Sequence, residues 1–100
     1  MRFEVEWDEE AFEDFERLRA YDRQRISATI EAHLILTPDE VQGPIKYIDT
    51  LIPPWSESPG IWQLSVIPFR IFYDVFRDER RVYVQAVRRK PHGKQTKDIL

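Results

Sequence analysis

From Ile61 to His92 the chain alternates apolar and polar side chains in three successive runs. Trp62, Leu64 and Val66 share one face of the first run, Ile71, Tyr73 and Val75 of the second, and Val82, Val84 and Ala86 of the third. A period of two marks strands with one face buried, so the stretch predicts an antiparallel meander. Its last two strands meet at a tight turn at Asp78-Glu79. The opposite face then carries Gln63, Ser65, Arg70, Asp74, Tyr83, Gln85 and Arg89. Such a surface is suited to holding an anion.

Upstream the period changes. Arg2 to Glu6 reads as a short strand with Phe3, Val5 and Trp7 on one face. Asp8 stands where it can cap a helix, and Glu9 and Glu10 follow in the turn where the helix dipole favours negative charge. Ala11, Phe12, Phe15 and Leu18 recur at helical spacing. Asp22 is placed to cap a second helix whose buried stripe is Ile26, Ile30, His33 and Leu34. Thr37-Pro38 should end it, because a proline steers the residue before it away from the helical conformation. Ile45 to Leu51 reads as a strand, and IPPWSESPG (residues 52–60) as a proline-rich loop. The order predicts an α+β two-layer sandwich, with an N-terminal strand and a helical hairpin packed on a mainly antiparallel four-stranded sheet. The helices would cover one face and leave the other open and concave.

Composition narrows the class. At 100 residues the chain is expected to form one domain, burying about two-thirds of its unfolded surface. A hydrophobic content of 42% supplies a core and argues against disorder. The chain has no cysteine, which excludes disulfides and cysteine-ligated zinc, and with only 2 histidines a metal site is not expected. No apolar run approaches a membrane span, and the acidic start MRFEVEWDEE is no signal peptide. These features read as a soluble, cytoplasmic protein.

Charge is distributed unevenly. Residues 1–60 hold 6 Lys/Arg against 14 Asp/Glu, whereas residues 61–100 hold 9 against 4. The net charge of −3 therefore conceals an acidic end and a basic one. Arg88, Arg89, Lys90, Lys94 and Lys97 fall close together, which points to a surface for nucleic acid or an acidic protein.

The segments WQLSVIPFRIFYDV and VYVQAVRRK, the hairpin FEDFERLRAYDRQRISATIEAHL and the ending RRKPHGKQTKDIL together resemble the RelE/ParE toxins of type II toxin–antitoxin modules. The resemblance spans almost the whole chain and implies that family's sandwich fold. RelE-like members are ribosome-dependent endoribonucleases that cut mRNA without a metal, directing the 2′-hydroxyl onto the adjacent phosphodiester. That chemistry needs cations for the phosphate charge, a proton acceptor for the 2′-hydroxyl and a donor for the departing 5′-oxygen. ParE-like members poison DNA gyrase and need no catalytic constellation.

By this resemblance Arg70 takes the place of the strand arginine on the scissile phosphate, which its guanidinium can grip with two hydrogen bonds. The competing reading pairs it with Asp74 on the same strand face. Arg89 and Lys90 fall where the second catalytic arginine lies, and strand parity favours Arg89 pointing into the groove. His92 supplies the titrating group, since imidazole changes charge near neutrality. Arg88, Lys94, Gln63 and Ser65 would contact RNA. His33, on an apolar helical stripe, reads as a core or interface residue.

The family pattern is not followed throughout. Groove positions that carry cations in RelE-like enzymes are the neutral Gln63 and Ser65 here, no tyrosine follows Lys90, and the chain is net acidic. Three functions stay open: an mRNA-cleaving toxin, a gyrase-directed or otherwise non-nucleolytic toxin, and a domain that binds partners but has lost activity. The implied partners are a neutralising antitoxin and, for a nuclease, the ribosome and its mRNA, with no cofactor. Trp55 would either anchor the antitoxin or pack on the domain's own edge.

Overall fold

The structure, a computed structural model, describes residues 2–100. Its elements are β1 (Glu4–Trp7), α1 (Glu9–Glu16), α2 (Ala20–His33), β2 (Ile45–Ile48), β3 (Ile61–Val66), β4 (Phe69–Phe76), β5 (Arg81–Arg89) and a short α3 (Thr96–Ile99). The strands form one sheet in the order β1-β5-β4-β3-β2. β2 to β5 are antiparallel neighbours, as the alternation predicts. β1 does not lie apart from this sheet: it runs parallel to β5, Glu4 opposite Arg81 and Trp7 opposite Val84. The architecture is therefore the expected α+β sandwich with a fifth, parallel edge strand.

Local chemistry fixes the helix starts. Asp8 accepts hydrogen bonds from the amides of Glu10 (3.1 Å) and Ala11 (3.3 Å), so α1 begins as read from the sequence. Asp22 does not cap α2. The residue with extended backbone is Arg19, which places Asp22 in the first turn, where a carboxylate still meets the positive end of the dipole. The carboxylate is buried and ion-paired to Arg19 (3.4 Å) and Arg25 (3.5 Å). At the other end α2 stops at His33, ahead of Pro38, and the Thr37 amide and hydroxyl both turn back to the His33 carbonyl, at 3.3 and 3.4 Å.

The main core lies between the helices and the sheet. Ala11, Ile26, Ile30 and Leu34 meet Leu64, Ile71, Tyr73, Val82, Val84 and Val87 there. The far face is not left open, contrary to the alternation reading. Ile61, Phe72 and Ala86 form a second cluster, covered by Leu51 and Trp55 from the loop after β2 and by Ile99 and Leu100 at the C-terminal end. A β-bulge explains how Ala86 comes to lie there. Phe72 pairs with Ala86 while the next residue, Tyr73, pairs with Val84, so Gln85 is an extra residue and the inside–outside sequence slips by one beyond it. Val87 then joins the main core, and Arg88 and Arg89 exchange the faces that uninterrupted alternation assigns them.

Candidate functional site

Two loops build a cleft of about 300 Å³ at one end of the β3–β4 hairpin. One is the Ile67–Pro68 turn between β3 and β4; the other is the segment that leaves β5. They are stapled together by the Lys90 amide, which donates to the Pro68 carbonyl at 2.7 Å. Beyond it Gly93, at φ 85°, adopts a left-handed conformation that side chains resist, and the chain folds back so that the Lys94 amide reaches the Pro91 carbonyl at 3.1 Å. Arg70, Lys90, His92 and Lys94 all line this cleft, and among the described residues no carboxylate does.

Arg70 is the most unusual of them. It is half-buried, and its Nη1 donates to the Phe69 carbonyl at 2.9 Å. Its Nε is buried and has no hydrogen-bond partner among the described residues. The acid expected to pair with it, Asp74, instead accepts from Gln85 at 2.7 Å. A buried, unpartnered donor on a charged group costs free energy that a bound anion would recover.

The other sequence-predicted residues divide. Arg88, not Arg89, is the register partner of Arg70, and Ser65 pairs with Arg70 from the other side, so these three share a face. Arg89 falls on the helical side, exposed, with its guanidinium 5.7 Å from the centre of the Phe69 ring. The bulge at Gln85 is the cause of this correction. Arg88 lies near Asp14 of α1, Nη1 to Oδ2 3.6 Å, a partner that no local pattern announces.

Gln63 does not face an open groove: it is 3% exposed and accepts a hydrogen bond from the Thr96 hydroxyl at 3.1 Å. Trp55 packs against Phe72, ring centres 6.3 Å apart, which settles it on the domain's own surface. His33 closes α2 and does not line the cleft. The cleft thus assembles three cations and one imidazole, a set able to hold a phosphodiester and to move a proton.

Over residues 5–91 the sequence matches the family described as the ParE toxin of the type II toxin–antitoxin system parDE. No curated protein matches it. Among solved structures the fold is similar to the isolated E. coli RelE toxin, with a TM-score of 0.68 at 15% identity over 92% of this chain and 88% of that one. It is similar to the archaeal RelE–RelB complex from Pyrococcus horikoshii OT3, with a TM-score of 0.68 at 10% identity over 95% of this chain and 100% of that one. The intact E. coli RelBE toxin–antitoxin complex gives a TM-score of 0.55 at 15% identity, over 90% and 98%. At these identities the likeness is one of fold.

Proposed function

The chain belongs to the ParE toxin family of type II toxin–antitoxin systems, and on that premise we propose that it is a toxin whose cleft binds an RNA phosphodiester and cleaves it without a metal. One observation carries the reading: Arg70, whose buried Nε has no hydrogen-bond partner among the described residues, lines a cleft whose other polar side chains are two lysines and an imidazole. In the proposed reaction Arg70 and Lys90 hold the non-bridging phosphate oxygens and strengthen their hold as charge builds on them. His92 accepts the proton of the 2′-hydroxyl as its oxygen bonds to phosphorus. The bond from phosphorus to the 5′-oxygen breaks, and that oxygen takes a proton from water. The products are a 2′,3′-cyclic phosphate and a 5′-hydroxyl; the hydroxide left by the water is neutralised by the proton on His92.

Lys94 and Arg88 extend the basic surface along the strand leading into the scissile site. In this reading the chain works as one domain in the cytoplasm, on ribosome-bound mRNA. Its antitoxin would cover the same basic surface with an acidic or amphipathic segment that folds as it binds.

The test is induced expression in bacteria with primer extension on a reporter mRNA. Wild type should arrest growth and leave discrete cuts. Arg70→Ala should reduce cleavage by about 10²–10³-fold, the usual cost of one positioned donor to developing charge, while its far-UV spectrum stays that of the wild type. Lys90→Ala should be similarly impaired, and Arg89→Ala, on the other face, should keep most of its activity. Undiminished cuts from Arg70→Ala would remove this residue from the mechanism.

A second reading, a gyrase-directed toxin acting by protein binding, is favoured by the match to the ParE family itself. It would show as arrest with altered DNA topology and no RNA cuts. No arrest at all would favour a chain that only binds its partners.

A further inference from the structure

We propose that Arg25, on α2, is a positioning residue for the cleft: it fixes the Ile67–Pro68 turn from behind, and through it the segment that carries Lys90, His92 and Lys94. Its consequence for RNA rests on the function proposed above; its geometry does not. Arg25 Nη2 donates to the Ile67 carbonyl at 2.7 Å, a bond between residues far apart in sequence. The guanidinium is held from two further sides. Asp22 Oδ1 lies 3.5 Å from Nη1, and the Tyr21 ring lies beneath, 5.6 Å to its centre. Asp22 is 6% exposed, so the carboxylate that aims Arg25 is itself fixed in the packed base of the helix.

The turn is closed at its base by the paired Val66 and Phe69, and Arg25 adds a hold on the Ile67 carbonyl from α2. The Ile67 side chain itself is 72% exposed. The next carbonyl, that of Pro68, receives the Lys90 amide at 2.7 Å. Displacing the turn therefore displaces the point where the chain leaves β5 for the cleft. The path runs from Asp22 to Arg25 by an ion pair, from Arg25 to Ile67 by a hydrogen bond, along the chain to Pro68, and on to Lys90 by a second hydrogen bond. Arg25 does not line the cleft, so its role is exerted through the turn and not on a bound phosphate. A guanidinium suits this role because its separate N–H groups can serve the carboxylate and the carbonyl at once.

The experiment compares amide hydrogen exchange in the full chain for wild type, Arg25→Ala and Arg25→Lys. Binding of a 2′-O-methyl RNA oligonucleotide, which lacks the attacking hydroxyl, is measured alongside by fluorescence anisotropy. In Arg25→Ala the Lys90 amide should lose about tenfold of its protection, while Val84, in the centre of β5, keeps its own. The oligonucleotide should bind several-fold more weakly, and Arg25→Lys, which retains one donor, should recover part of both losses.

Unchanged protection at Lys90 would overturn the proposal. So would a loss at Lys90 matched by an equal loss at Val84, since that would mean general destabilisation. If Arg25→Ala does not fold, Arg25→Met, which keeps an unbranched stem and removes the donors, carries the same comparison. If the wild type fails to bind the oligonucleotide, the RNA reading falls, and the Lys90 amide still decides for or against Arg25.

Discussion

Tyr73 holds its phenol inside the main core, stacked at 6.2 Å from Trp62, with its hydroxyl donating to the Pro38 carbonyl at 2.7 Å. Burial, and secondarily the nearby charge of Asp39, push its pKa above the ordinary tyrosine range. The folded protein therefore keeps this proton where the unfolded chain releases it, near pH ~10. Above that pH the unfolded state binds fewer protons, so the contribution of Tyr73 to stability is complete below pH ~10 and is lost as pH rises further. Urea midpoints should accordingly fall between about pH 9 and 11, and fall less steeply in Tyr73→Phe. That variant should itself cost about 1 kcal/mol at neutral pH, because the Pro38 carbonyl loses its donor. Identical alkaline slopes in the two proteins would refute the assignment. At this scale the sequence was informative about what is close in the chain. Arg70 and the Lys90–Lys94 segment could be placed together because a hairpin brings them there. Asp14 against Arg88 and Thr96 against Gln63 could not, since each pair joins separate elements with no local signal.

Among the elements, the helical hairpin and the meander were legible because their periods are long and regular. Two of the departures came from features without a period. One extra residue, Gln85, inverts the faces of everything after it in β5, and no residue type there advertises a bulge. α3, four residues from Thr96 to Ile99, is too short to show helical spacing. Its cover over Phe72 is nevertheless part of the fold. Ile99 and Leu100 are only partly buried, so replacing both with alanine should cost about 2 kcal/mol. In a domain of this size that lowers the melting temperature by about 10 °C. Thermal unfolding followed by circular dichroism measures it, and an unshifted midpoint would mean that the C-terminal segment contributes nothing to stability. The cleft residues should stay competent in this variant, because Lys90 is tied to Pro68 and not to α3.

For the molecule as a whole, charge separation outweighs net charge. A protein of net charge −3 presents a cleft that no carboxylate lines among the described residues. If Arg70, Lys90 and Lys94 each neutralise one phosphate, log affinity for single-stranded RNA should fall against log salt with a slope of about −2. Titrations from low to physiological salt read this slope, and a flat line would exclude the cleft as the docking site. The sequence made the two charged ends visible by simple counting. It could not show that the acidic end reaches into the basic one, because that depends on how α1 lies along β5.

The Asp14 carboxylate beside Arg88 has a consequence for competition. It occupies a cation that an incoming phosphate would otherwise find free, and so acts as a built-in rival for that position. Both side chains are partly exposed, 38% and 36%, so the rivalry is modest and weakens with salt. Asp14→Asn should tighten RNA binding about two- to fivefold at low ionic strength and by less at physiological salt; equal affinities for the two proteins at low salt would show that Arg88 takes no part in binding. An acidic antitoxin laid over the basic end would meet the same rival, so this one carboxylate would loosen the toxin's hold on its target and on its inhibitor together.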